Sequence, residues 1–160
     1  MNPHDRRRDR HAPVLDPLRL DSQLCFAVYG AAHAFAAAYK PVLEPLGLTY
    51  PQYLVMLVLW EQDSLSVKEI GTRLHLDSGT LTPLLKRMEK AGLLRRRRDP
   101  DDERHLRVEL TDQGRALREA VGAARAQIVC ALGGDEAPIQ RLKRDLHQVT
   151  GRLRGATTKE

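Results

Sequence analysis

Cys25 and Cys130 are the only thiols in the sequence, and a thiolate can act as a nucleophile or join a disulfide. Cys25 follows an Asp-Ser pair in the stretch DSQLCFAVYG, which has the spacing of an amphipathic helix. In the first turns of a helix, unpaired N–H groups and the macrodipole favour an anion, so a thiolate forms more easily there, while Asp21 opposes it modestly. Val28, Tyr29 and Ala32 follow at i+3, i+4 and i+7, which predicts a partly apolar pocket around the sulfur. Buried cysteine acting as a small hydrophobe is the competing reading, and composition alone favours it. The two cysteines are too few for a disulfide framework and too far apart for a metal knuckle. His4, His11, His33, His75, His105 and His147 are scattered, none forming a compact ligand pair with a cysteine, so no metal or other cofactor is expected.

The elements that must position these groups can be read from periodicity. Residues 1–16 are charged and Pro-containing, with RRRDR and no apolar period, and are expected to be a flexible basic arm ahead of a single domain over 17–160. Leu24, Val28, Ala31, Phe35 and Ala38 predict a first helix from Asp21 to near Pro41, with Asp21 or Ser22 as N-cap. A second helix from Pro51 to about Gln62 is apolar nearly all round in YLVMLVLW and should lie at the centre of the core. Ser66 with Glu69 forms a capping box that opens a short helix over SVKEIGTRL. After HLDSGT, the positions Leu81, Leu84, Leu85 and Met88 give another, starting near Ser78, bent at Pro83 and stopped by Gly92. Two strand-like segments, GLLRRRRD and RHLRVELT, flank the turn PDDE as a hairpin. A long helix from Thr111 and a last one through Ile139, Leu142, Leu146, Val149 and Leu153 carry coiled-coil-like stripes.

The fold class expected from this order is mainly α with a small β-hairpin wing: a winged helix-turn-helix at about 48–112, with dimerisation helices at about 21–40 and 111–155. The terminal stripes exceed what one small core absorbs, so a homodimer built from the N- and C-terminal helices is predicted. In such a module the second short helix enters the major groove and the hairpin follows the backbone. Ser78, Thr80 and Thr82 offer hydroxyls to phosphates or base edges, and Lys86 and Arg87 follow on the polar face. On the wing, Arg96, Arg98 and Arg104 are the arginines expected to meet DNA, with Asp102 fixing the direction of Arg104. Isolated basic runs are usually solvated faces, but this one follows a two-helix unit. Lys and Arg total 26 against 21 Asp and Glu, which fits double-stranded DNA as partner.

From about Leu20 to Leu153 the chain resembles the MarR-type transcriptional regulators, dimeric winged-helix repressors, in LTYPQYLVMLVLWE, SVKEIGTRLHLDSGTLTPLLKRMEKAGLLRR and DERHLRVELTDQG. Within that group it looks most like the organic hydroperoxide resistance (OhrR) subgroup, on the strength of LDSGTLTPLLKRMEKAGL with the added cysteine and tyrosines. The resemblance implies that Cys25 reacts with organic hydroperoxides and that its thiolate is stabilised by Tyr39 and Tyr50, with Tyr29 or Tyr53 also near the pocket. It further implies the two-cysteine type, in which Cys130 of the opposite subunit resolves the sulfenic acid as a disulfide and DNA is released.

Three other readings compete. A MarR-type repressor released by a non-covalent phenolic or other small ligand would leave Cys25 incidental. A thiol peroxidase also needs an activated cysteine, but two convincing strands do not make a thioredoxin-like sheet. A metal sensor lacks clustered ligands. With no apolar run of membrane-spanning length and no secretory signal in MNPHDRRRDRHAP, a cytoplasmic location away from membranes is expected.

Overall fold

A computed structural model describes residues 16–98 and 106–157. Most of the basic arm, the hairpin turn, Asp102 and Arg104 lie outside the described residues. The chain divides between Ala37 and Ala38 into two compact units.

The N-terminal unit holds a 3-10 turn at Leu20–Ser22 and the beginning of α1 (Leu24–Leu43). The helix starts later than its apolar spacing predicts, and neither Asp21 nor Ser22 caps it. The Asp21 carboxylate is occupied by the Arg19 guanidinium, which donates from Nε at 3.1 Å and Nη2 at 2.7 Å, and Gln23 is extended. Through Ala37 almost every side chain is exposed; Gln23, Phe35 and Ala36 are half-buried.

The second unit opens with the end of α1. Pro41 lies inside this helix instead of ending it, since proline removes one backbone bond while its fixed φ remains helical. A 3-10 turn at Glu44–Leu46 and Gly47, at φ 69°, supply the stop. Thr49 and Gln52 then form a capping box that opens α2 (Tyr50–Glu61), whose Val55, Met56 and Leu59 are buried. The chain continues through β1 (Leu65–Ser66), α3 (Val67–Leu74), α4 (Ser78–Lys90), β2 (Leu94–Arg98), β3 (Leu106–Leu110), α5 (Asp112–Ala131) and α6 (Glu136–Thr157). The core gathers Leu43 and α2 with Leu65, Ile70, Leu81, Leu85, Met88, Leu94 and Val108.

The sheet is antiparallel in the order β1, β3, β2, so the expected hairpin gains a third strand. β1 is two residues long, Leu65 facing Val108 and Ser66 facing Arg107, too short to register as an alternating pattern. Asp63 fastens this edge: its Oδ1 accepts the N–H groups of Ser64 at 2.8 Å and Leu110 at 2.9 Å, and its other oxygen pairs with Arg115 of α5. On α2, Trp60 donates its indole N–H to the Gly114 carbonyl at 3.0 Å. No single helix among the described residues is long and apolar enough to cross a membrane.

Candidate DNA-binding surface and thiol site

The two short helices meet through a turn that tolerates little change. Ser66 and Glu69 close the expected capping box on α3. The helix ends at His75, a left-handed residue at φ 59°, and the Leu76 N–H returns to the Gly71 carbonyl at 2.9 Å. A Cβ at position 71 would stand 2.7 Å from the Leu76 oxygen, so only glycine permits this approach. Asp77 caps α4, accepting the Thr80 N–H and the Thr80 hydroxyl, each at 2.9 Å. The backbone bond from Thr80, followed by its hydroxyl bond, holds the Asp77 carboxyl below its ordinary value.

Along α4, Leu81, Leu84, Leu85 and Met88 point into the core, while Ser78, Thr80, Lys86 and Arg87 are exposed and Thr82 is half-buried. The Thr80 hydroxyl hydrogen is committed to Asp77, so its oxygen meets an outside partner as an acceptor. Pro83 lies within the helix, as its sequence position requires. The stop is a Schellman turn: Gly92, at φ 75°, donates to Glu89, and Leu93 donates to Met88. This turn folds β2 back beside the helix that precedes it.

That return brings Arg96 to Glu89. The Arg96 backbone N–H donates to Glu89 Oε1 at 2.8 Å, and its Nε and Nη2 donate to Oε2 at 2.8 and 2.6 Å. Arg96 therefore ties β2 to α4. The pair also holds the Glu89 carboxyl below its ordinary value, first through the Arg96 side chain. Strand register puts Arg96 and Arg98 on the face of Val108 and Leu106, with Arg95 and Arg97 on the other. Arg95 is held by Glu109 at 2.9 Å, and Arg107 donates to the Ser64 carbonyl at 2.7 Å. Arg97 and Arg98 are exposed at the end of β2.

Both cysteines are free and exposed. Cys25 is the second residue of α1 and Cys130 the penultimate residue of α5. Within one chain Cys25 is not part of the core, nor does the expected apolar pocket enclose it, because Val28, Tyr29 and Ala32 are exposed as well. The tyrosines behave differently. Tyr39, Tyr50 and Tyr53 form a cluster, with ring centroids 5.3 Å apart for Tyr39 and Tyr50, 5.1 Å for Tyr39 and Tyr53, and 6.0 Å for Tyr50 and Tyr53. Burial, and then the neighbouring Tyr39, raises the Tyr50 phenol above its ordinary value. Tyr53 is raised by burial and by its hydrogen bond with Tyr39. Phenols so placed keep their O–H donors at neutral pH.

Comparison with known proteins agrees with the winged-helix architecture. Residues 37–121 match the family model for the transcriptional regulator SarA/Rot. The chain is 50% identical over 104 residues to the organic hydroperoxide resistance transcriptional regulator of Bacillus subtilis, covering 65% of this chain and 71% of that protein. The structure of reduced AbfR bound to DNA, a protein of Staphylococcus epidermidis, superposes with a TM-score of 0.76 at 37% identity, covering 87% of this chain and 97% of that one. The chain belongs to the MarR/SarA-like family of transcriptional regulators.

As a MarR/SarA-like protein it is a DNA-binding regulator with a winged helix, not an enzyme. It is also 67% identical over 103 residues to the HTH-type transcriptional regulator TtmR of Methylorubrum extorquens, spanning 64% of this chain but about half, 53%, of that relative's length. Two features of this family member escape sequence reading. Glu89 stands seven residues before Arg96 with a turn between them, and only the Schellman geometry brings the two together. Asp77 was one of several polar residues in HLDSGT, and its Asp-x-x-Thr spacing to Thr80 is the signal that would single it out as the cap.

Proposed function

We propose that the protein is a homodimeric, cytoplasmic repressor of transcription that senses organic hydroperoxides. The Cys25 thiolate attacks the peroxide oxygen, the O–O bond breaks, and an alcohol leaves with Cys25 as sulfenic acid. The thiol of Cys130 in the partner subunit then displaces water from that sulfenic acid and forms a disulfide. Tyr39 and Tyr50 donate hydrogen bonds that stabilise the Cys25 thiolate in the dimer. The bridge needs Cα atoms within about 7 Å, so closing it shifts the terminal helices and moves two recognition helices off half-sites of fixed spacing. DNA is held by Ser78, Thr80, Thr82, Lys86, Arg87, Arg98 and Arg104, with Asp102 fixing the direction of Arg104 and Arg96 bracing the wing.

The observation that carries this reading is an exposed thiol in the first turn of α1, in a chain 50% identical over 104 residues to a hydroperoxide resistance regulator. Support comes also from AbfR, whose structures include a reduced DNA-bound form and, at 39% identity and a TM-score of 0.63, a disulfide-formed one. The side-by-side placement of Tyr39 and Tyr50 fits the donor role. A second reading, release by a small non-covalent ligand, is favoured by a cavity between α2 and α5 lined by Tyr53, Leu57, Trp60, Arg118 and Arg125. At about 210 Å³ it falls below the roughly 300–1,000 Å³ usual for ligand sites.

The test is binding of reduced protein to its own upstream DNA, with and without one equivalent of an organic hydroperoxide, for wild type, Cys25→Ser and Cys130→Ser. Release in wild type alone, reversed by dithiothreitol and accompanied by a cross-linked dimer on a non-reducing gel, is the expected result. Release of Cys25→Ser by the same peroxide would defeat the thiol mechanism and leave the ligand reading standing.

A further inference from the structure

Beside the helix-turn-helix lies an open groove of about 470 Å³ that none of the residues assigned above explains except Ser78. Its walls are α3, through Lys68 and Thr72, the turn, through His75 and Asp77, the start of α4, and Arg154 from the last turns of α6. Arg154 reaches back across 79 positions of sequence, and its Nη1 lies 2.7 Å from His75 Nδ1 and 3.0 Å from Nε2. We infer that this groove holds a backbone phosphate of DNA, with Lys68 and Arg154 as its cations. The inference rests on the reading above that α4 enters DNA, and it adds a contact from outside the winged helix.

The chemistry of the walls favours an anion. Lys68 is exposed and has no acidic partner among the described residues. Arg154 is oriented by the His75 ring, so less side-chain entropy remains to be lost when a ligand arrives. The Ser78 hydroxyl can donate; the Thr72 hydroxyl cannot, since its hydrogen goes to the Lys68 carbonyl at 2.9 Å. Asp77 is the one carboxylate among the lining residues, and its two oxygens are bound by Thr80. Among the lining residues, two permanent cations stand against one engaged carboxylate, a balance that favours an anion. A phosphodiester there would lie beside the first residue of the recognition helix, where a backbone contact fixes register without reading sequence.

The decisive measurement is the salt dependence of operator binding by the full-length reduced dimer, for wild type, Arg154→Ala and Arg154→Lys. Loss of one phosphate contact lowers the slope of log affinity against log salt by about 0.9 per bound subunit. Arg154→Ala is therefore expected to lower the slope by that amount, and Arg154→Lys, which keeps the charge, to preserve it. An affinity loss at unchanged slope would mean that Arg154 only ties α6 to the turn, and would overturn the inference, as would no change at all. If inorganic phosphate alone shifts the His75 ring resonances while the slope is unchanged, the groove takes a free anion and not DNA. Failure of wild type to bind its operator would instead defeat the reading on which this contact depends.

Discussion

The Arg96 and Glu89 pair is where single side chains decide how the wing sits. Their side chains are 21% and 33% exposed, so the attraction is screened, and about 1 kcal/mol is an upper expectation for its contribution to stability. Its pH dependence follows from the lowered Glu89 value. The contribution is fully present above the ordinary 4.5 and is lost as pH falls through the folded value. Chemical denaturation of wild type and Glu89→Gln should thus differ at pH 7 and converge at acid pH; a difference that persists there would assign the effect to packing. Glu89→Gln should also weaken DNA binding, since the wing loses its brace. At the tyrosines the prediction is kinetic. Tyr39→Phe and Tyr50→Phe remove one hydroxyl each and should slow the oxidation of Cys25 by peroxide, while the reduced variants keep wild-type affinity for DNA. Equal oxidation rates, followed by stopped-flow thiol titration, would remove both from the mechanism.

Among the elements, the junction of the hairpin with α5 is the most constrained. The Thr111 hydroxyl donates to the Gly92 carbonyl at 2.6 Å and accepts the Gly114 N–H at 3.1 Å, so one side chain caps α5 and ties it to the end of α4. A Cβ on Gly114 would fall 2.1 Å from the Leu93 oxygen, a backbone atom that cannot step aside. Thr111→Ala should cost about 1–2 kcal/mol and Gly114→Ala more than that, as midpoints of urea unfolding will show. A Gly114→Ala variant as stable as wild type would mean that α5 can lift from the hairpin. Most of these elements were legible because their signals are local: the Ser66 and Glu69 box, the apolar spacing of α4 and the alternation of β3 each lie within one segment. What escaped depends on partners distant in sequence or on very short elements. β1 is strand only because β3 pairs with it, and Asp21 fails as a cap because Arg19 claims it. Cys25 was legible as chemistry, but its exposure was not, because the predicted pocket assumed that one chain would supply the walls.

Taken as a whole molecule, the single chain leaves too much apolar surface in water. On α6, Leu142 and Leu146 are 55% and 39% exposed, in the stripe that also carries Ile139, Val149 and Leu153. In the N-terminal unit, Leu24, Phe26, Val28 and Tyr29 are exposed on α1. Full burial of one such side chain contributes roughly 1.5–3 kcal/mol, so covering either stripe with a second copy supplies enough to offset the entropy of association. The proposed disulfide needs that second copy as well, because it joins thiols of different subunits. Replacing Leu142 and Leu146 together by aspartate places two charges in the stripe without touching the winged helix. Sedimentation velocity should then show wild type as a dimer and the variant as a monomer that retains its helical circular dichroism. The monomer presents one recognition helix where a two-fold operator offers two half-sites, so it should bind far more weakly, and peroxide should leave it without a cross-linked product. A variant that remains a dimer would move the interface off α6, and one that is monomeric yet binds its operator like wild type would break the link between dimer geometry and DNA release.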